Sequence, residues 1–85
     1  MKTLSVVLVT PEGKLFEGEA NFVNLPGSCG SFGVYPDHAA IVSTLQTGNI
    51  EIALGQEKKT FNVESGVIEV LNNKVSILVE KIIHA

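Results

Sequence analysis

The chain has 85 residues, 45% of them hydrophobic and 18% charged, which is enough apolar content for a single folded domain spanning residues 1–85. Six basic and nine acidic residues leave a net charge of −3, with no basic cluster of the kind that binds nucleic acid. The longest uncharged stretch, 20–36, is interrupted by Pro26 and by glycines, so it cannot form a membrane-spanning helix. The protein is therefore expected to be soluble or peripheral to a membrane.

Short apolar runs rich in valine and isoleucine recur along the chain and are bounded by glycine, proline or asparagine. This pattern predicts strands, because no stretch has a helical period. Residues that favour tight turns separate the runs, as at 11–14 and 72–73. In chain order the predicted strands are 4–10, 15–20, 21–25, 31–34, 41–45, 49–54, 60–64, 66–71 and 75–82.

The strands differ in how many of their faces are apolar. Residues 50–54 alternate apolar and polar side chains, which predicts one face exposed to water. Residues 6–9 and 77–79 are apolar on both sides, as expected for strands covered by a second layer or by a partner protein. Short strands with frequent turns predict an all-β sandwich or flattened barrel.

Two loop residues could in principle carry chemistry. His38 lies beside Asp37, and together with Cys29 these residues could contribute to a nucleophilic or metal site. No Cys or His pair has ligand spacing, and the sequence places no basic residue beside Cys29 that would activate its thiol. We therefore interpret His38 as a polar loop residue and Cys29 as an ordinary thiol, and we expect no catalytic site, metal or cofactor. A small hydrolase using Cys29 and His38 stays as an alternative.

The glycine-rich segment 27–33 is the most conspicuous motif. It is not a phosphate-binding loop, because that motif ends in Gly-Lys followed by Ser or Thr and opens a helix, whereas this one continues as Val-Tyr-Pro. Residues 30–40 instead read Gly-Ser-Phe-Gly-Val-Tyr-Pro-Asp-His-Ala-Ala. This resembles the Gly-x-x-Gly-Ile-x-Pro-Gly-His-Ala-Pro signature of the ATP synthase ε subunit. Further matches to that family lie at 10–13, 16–18, 45–50, 61–70 and 75–78.

The resemblance implies a flattened, ten-stranded β-sandwich or barrel of two mostly antiparallel sheets. It also implies a non-catalytic subunit of the central stalk, part of the rotor that couples proton translocation to ATP synthesis. Such a subunit links the γ subunit to the polar loops of the c-subunit ring. It contacts the rest of the catalytic complex only indirectly. Its expected location is the cytoplasmic face of the bacterial inner membrane, as a peripheral protein.

Individual roles follow from the resemblance by position. The γ subunit would contact Thr10, His38 and Ser43, and the c ring would contact the loop of Ser28, Cys29, Gly30 and Ser31. The residues expected to shape the loops are Gly33, Tyr35, Pro36 and Gly66. Gly30 and Gly33 are expected to adopt backbone conformations that residues with a Cβ disfavour.

The chain departs from the family at three loop positions. Asp37 and Ser65 stand where glycine is usual and Ala40 where proline is usual; aspartate tolerates left-handed backbone better than most residues. Most family members continue as a C-terminal helical hairpin that restrains ATP hydrolysis, and we expect this chain to have no such helical domain and no such activity. The alternative from another class is a lipoyl or biotinyl carrier domain, with Lys58, Lys59 or Lys74 as the modified residue.

Overall fold

The computed structural model describes residues 2–83, and every regular element in that range is a strand. The prediction of an all-β domain is thereby confirmed. No helix in the described part of the chain is long and apolar enough to cross a membrane. The eight strands are β1 (Leu4–Thr10), β2 (Gly13–Ala20), β3 (Phe22–Gly27), β4 (Gly30–Val34), β5 (Ile41–Leu45), β6 (Gly48–Leu54), β7 (Glu57–Leu71) and β8 (Lys74–Ile82).

The strands form two layers that share β7. One layer has the order β2-β1-β8-β7-β5, and the other runs from the N-terminal part of β7 through β6 and β3 to β4. The β1–β8 pair is parallel and all other pairs are antiparallel, as the mostly antiparallel prediction requires. Because β5 also bridges to β3, strands β3, β5, β7 and β6 close into a ring, which is the topology of a flattened barrel.

The strand count corrects the sequence-based expectation. Residues 2–83 contain eight strands rather than ten, and hydrogen bonding joins the two layers into one continuous sheet. The predicted strands 60–64 and 66–71 are parts of a single strand, because the chain bends at Ser65 without leaving the sheet. Ser65 has a φ of 44° and is not itself paired with β8, although the β7–β8 register is the same on both sides of it, with Glu64 opposite Lys81 and Gly66 opposite Val79. The left-handed backbone at Ser65 lies where β7 changes partner from β6, whose pairing ends at Val63, to β5, whose pairing begins at Gly66, and it redirects the strand from one layer to the other.

The core lies between the layers and is built by alternation along each strand. Leu4, Val6 and Leu8 of β1 face inward, and each is at most 1% exposed. Inward residues of β3, β6, β7 and β8 join them in one cluster of buried aliphatic side chains. Among the described residues no polar or charged side chain is buried, so packing of apolar surface is the main stabilising contribution, at about 1.5–3 kcal/mol for each fully buried large aliphatic side chain.

Candidate functional site

The outer face of the first layer carries an apolar surface that the domain itself leaves uncovered. Cross-strand registers align Thr44, Val67, Leu78 and Val9 in one row across β5, β7, β8 and β1. Val67 is 43% exposed and Leu78 is 53% exposed. We call the surface formed by Val9, Val42, Val67 and Leu78 the apolar face.

Charged and polar residues surround the apolar face. The neighbouring row aligns Val42, Glu69, Ser76, Val7 and Glu17 across the same strands. Val42 is 70% exposed, although valine is a residue that proteins normally bury. An apolar patch with a polar rim is the composition of a protein-binding surface, since the patch gains free energy only when another surface covers it.

The chain reverses between β3 and β4 at Ser28 and Cys29, and we call these two residues, together with Gly30 and Ser31 at the start of β4, the turn at 28–31. This turn adjoins one end of the apolar face. The Ser28 backbone N–H donates a hydrogen bond to Thr44 O at 3.0 Å, and the Thr44 hydroxyl donates to Ser28 Oγ at 2.8 Å. Gly30 has a φ of 127°, which a side chain would strain, as predicted for this position. Cys29 and Ser31 are exposed and uncharged, so the turn offers hydroxyl, thiol and backbone groups rather than charge.

Gly33 is required for a reason that the sequence did not indicate. Its φ is not among the positive values, so the predicted special backbone conformation is found at Gly30 only. A Cβ on Gly33 would lie 2.5 Å from the ring of Phe22, which crosses directly over the β4 backbone. The Phe22 ring also packs on the Tyr35 ring, with 4.5 Å between centroids. Gly33 therefore makes room for an aromatic pair on the outer face of the second layer.

Gly66 likewise permits close packing of strands. A Cβ at this position would lie 2.5 Å from the carbonyl oxygen of Leu78 on β8. Displacing the backbone of β8 would break its hydrogen bonds to β7, so any side chain at Gly66 would disturb the β7–β8 pairing next to Ser65.

The loop that follows β4 is held by Asp37. Asp37 has a φ of 68°, and its carboxylate accepts a hydrogen bond from Lys2 Nζ at 2.9 Å. The side-chain amide of Asn73 donates to the same carboxylate at 3.2 Å, and the Asp37 backbone N–H donates to Asn73 Oδ1. The hydrogen bonds from Lys2 and then from Asn73 lower the pKa of Asp37 below its usual range. The loop is thus tied to the N-terminal segment and to the β7–β8 turn.

The three residues expected to contact γ are separated in the structure. Thr10 ends β1, where its hydroxyl accepts from the Glu12 N–H at 3.2 Å. His38 lies in the loop beyond β4 near Asn73, which precedes the start of β8. Since β1 and β8 run parallel, Thr10 and His38 lie at opposite ends of the layer.

Ser43 lies on β5 between those ends. It pairs with buried Ile68, so its half-buried side chain is directed away from the outer face that Val42 presents. Sequence reasoning did not assign Val42, Val67 or Leu78 to the surface. The sequence did contain one indication of this surface. Residues 77–79 are apolar on both sides of the strand, as expected where a second layer covers one side and a partner protein covers the other.

Among the described residues, the candidate reactive side chains Cys29 and His38 do not come together. Cys29 and His38 lie beyond opposite ends of β5, a strand of five residues that by itself spans on the order of 13 Å. The His38 ring Nδ1 is 2.7 Å from the carbonyl oxygen of Ala39 and the side chain is half-buried. Within residues 2–83 no three His, Cys, Asp or Glu side chains come together as metal ligands. Lys58 and Lys59 lie within β7, and Lys74 is the first residue of β8, rather than in the turns themselves.

Comparison with protein families gives one match over nearly the whole chain. Residues 3–85 match the family described as ATP synthase, Delta/Epsilon chain, beta-sandwich domain. The ATP synthase epsilon chain of Leptospira borgpetersenii serovar Hardjo-bovis is 46% identical over 77 residues, which are 91% of this chain and 61% of the relative. The epsilon chain of Nitratiruptor sp. is 43% identical over 81 residues, 94% of this chain and 63% of the relative. The chain thus spans about three fifths of the length of these relatives.

Solved structures share the fold. A chain in the central stalk and c-ring of the Tetrahymena thermophila mitochondrial ATP synthase superposes with a TM-score of 0.83 over 96% of this chain and 66% of its own. A chain of the Euglena gracilis mitochondrial ATP synthase gives a TM-score of 0.89 over 95% of this chain and 52% of its own. Both are 19% identical to it, so this likeness concerns the fold.

Proposed function

This chain belongs to the ATP synthase delta/epsilon family, β-sandwich domain, and from that membership we propose that it is a non-catalytic rotor subunit that links the γ subunit to the c-subunit ring. Its role is to support the coupling of proton translocation to ATP synthesis. As part of that complex it would sit peripherally on the cytoplasmic face of a bacterial inner membrane. The proposal draws on the identity of the relatives, which are bacterial ATP synthase epsilon chains.

The single observation that carries this function is the apolar face. Val42, Val67 and Leu78 are between 43% and 70% exposed on the outer face of the first layer, and they gain free energy when a partner covers them. We assign this surface to the γ subunit. Thr10 and His38 would then contact γ at the two ends of the layer. Ser43, whose side chain is directed away from the outer face, would contact γ only at the edge of β5.

The turn at 28–31 is assigned to the polar loops of the c ring. It adjoins the apolar face through the Ser28–Thr44 hydrogen bonds, so one rigid body could contact both partners. Because the turn is uncharged, contact with the ring would depend on hydrogen bonds from Ser28, Ser31 and the backbone, together with shape.

The proposed mechanism is mechanical. A close-packed interior has low compressibility, and here strand β7 belongs to both layers, so a force applied at one surface is transmitted through continuous hydrogen-bonded backbone. Neither the carrier-domain nor the hydrolase alternative receives support from the family match. The modified lysine of a carrier domain lies at a hairpin tip, a position that Lys58, Lys59 and Lys74 do not occupy.

Co-purification tests the proposal. A tagged copy of the chain, expressed in cells that contain its own ATP synthase, is expected to recover γ, the catalytic subunits and the c ring in fixed stoichiometry from solubilised membranes. Recovery without γ, or turnover of a substrate by the isolated chain, would reject the proposed function.

A further inference from the structure

Strand β4 has one edge without a partner. Among the described residues, β4 pairs with β3 alone, with Gly27 opposite Gly30. On the opposite side of β3, the Gln46 N–H donates to Pro26 O at 2.8 Å and the Ser28 N–H donates to Thr44 O. The residues on either side of Gly27 thus make the hydrogen bonds to the β5 side. Backbone groups of successive strand residues point in opposite directions, so the N–H and C=O of Gly27 are directed toward β4.

Alternation along the hairpin then identifies the free groups of β4. Gly27 and Gly30 form a hydrogen-bonded pair, and the next such pair is Leu25 with Phe32. Ser31, between these two pairs, and Gly33, on the other side of Phe32, belong to the alternate pairs and direct their backbone N–H and C=O away from β3. The N–H and C=O of Ser31 and Gly33 therefore lie on the open edge.

This edge lacks the features that normally prevent strand pairing. The sequence of β4, Gly-Ser-Phe-Gly-Val, contains no charge and no proline, and three of its five residues are glycine or serine. The other outer strand, β2, carries Lys14, Glu17 and Glu19, and its Lys14–Glu17 ion pair is 2.8 Å long. Charged side chains on an edge disfavour added strands. The fold protects β2 in this way and leaves β4 open.

An aromatic surface lies beside the open edge. The Phe22 ring crosses over Gly33 and stacks with Tyr35, which is 63% exposed. A strand added next to β4 would place the side chain opposite Gly33 beside these two rings, where an apolar or aromatic side chain gains contact area.

We infer that the open edge of β4 binds an extended, uncharged segment of the γ subunit by strand addition. This inference rests on the proposed function, in which γ covers the apolar face. A strand of five residues buries far less than the roughly 1,200 Å² of a stable interface. The bound segment must therefore belong to a partner that also contacts this domain at another surface. A second copy of the chain joined only at this edge would have no such additional contact. The Thr44–Ser28 hydrogen bonds connect the apolar face directly to the β3–β4 hairpin, so a partner on that face can reach the edge.

Amide hydrogen exchange tests the inference, with the purified γ subunit of the same ATP synthase as the probe. Binding of γ is expected to slow exchange at Ser31 and Gly33, while Phe32 and Val34, already bonded to β3, change little. Protection that appears only when the c ring is also present would assign the edge to the ring and overturn the inference.

Substitution provides the second test. Ser31→Pro removes an outward N–H without removing a bond to β3, so the melting temperature is expected to stay unchanged while affinity for γ falls by about tenfold. Ser31→Ala keeps the N–H and is expected to retain affinity within about twofold. Equal binding of γ by both variants would refute strand addition and leave the proposed function intact. No binding of γ by the unaltered chain would refute the proposed function itself. A dimer of the isolated chain in sedimentation, abolished by Ser31→Pro, would assign the edge to a second copy and overturn the inference.

Discussion

Within residues 2–83, four residues other than glycine have left-handed backbone, and each lies where the chain turns or changes direction. Asn72 and Asn73, with φ of 51° and 63°, form the two-residue β7–β8 turn, for which asparagine is well suited. Asp37 and Ser65 have φ of 68° and 44°. Asp37 has compensating bonds to Lys2 and Asn73, whereas Ser65 is exposed and its side chain makes no recorded hydrogen bond within the described residues.

Ser65→Gly is expected to stabilise the domain by about 0.5–1 kcal/mol. Glycine relieves the left-handed strain at the bend, which outweighs its greater flexibility in the unfolded chain. The measurement is the midpoint of urea unfolding, with Ser65→Ala as the control that keeps the strain. A gain of similar size in Ser65→Ala would show that the backbone angle is not the cause.

The Asp37 carboxyl is expected to titrate below the ordinary aspartate value of about 3.9. Its lowered pKa means that its contribution to stability is fully present above that ordinary value and is lost as the pH falls through the folded-state pKa. Carbon NMR of the carboxyl group during an acid titration measures the pKa directly.

Lys2→Met should raise the Asp37 pKa toward the ordinary value, because Lys2 is the largest cause of the shift. Lys14→Met removes an equivalent exposed ion pair, with Glu17, and serves as the matched control. An unchanged Asp37 pKa in Lys2→Met would show that the 2.9 Å contact does not persist in solution.

At the scale of elements, β7 and β8 each place apolar side chains on both the inner face and the outer face. Ile68 and Ile77 pair across the core side and are at most 1% exposed, while Val67 and Leu78 pair on the solvent side. The inner face stabilises the domain, and the outer face is available for a partner. Substitutions on the two faces should therefore have different consequences.

Leu78→Glu is expected to weaken binding of γ by at least about 30-fold while leaving the domain folded, since it places a charge at the centre of the apolar face. Leu15→Glu is the matched control. Leu15 is 43% exposed but lies on edge strand β2 beside Ile82, and it is not one of the four residues that form that face. Calorimetric titration with γ measures both affinities. Comparable losses in the two variants would argue against the apolar face as the binding surface.

At the scale of the whole molecule, the shared strand β7 makes the two layers one cooperative unit. Val63 of β7 pairs with Gly48 in the second layer on one side and with Ile82 in the first layer on the other. Buried residues of both layers belong to a single cluster. Separate unfolding of one layer would leave half of β7 without partners and open that cluster to water.

Unfolding is therefore expected to be a single transition. Tyr35 fluorescence, which reports on the second layer, and far-ultraviolet circular dichroism should give coincident curves in urea. Ile68→Ala, in the first layer, should shift the midpoints of both unfolding curves by the same amount, because it lowers the free energy of unfolding by about 2–5 kcal/mol. The exposed neighbour Val67→Ala should cost less than about 1 kcal/mol. Curves that separate in Ile68→Ala would show that the layers unfold independently.

The sequence by itself determined the all-β class, most strand positions and the family, because period-two alternation, turn residues and the 30–40 motif are local properties. Only the tertiary structure decided that 57–71 is one bent strand, that Gly33 is required by the Phe22 ring, and which valines and leucines remain exposed. Val67 and Ile68 illustrate the reason. Both are β-branched residues in the same apolar run, and only the position of the second layer determines which of them is buried.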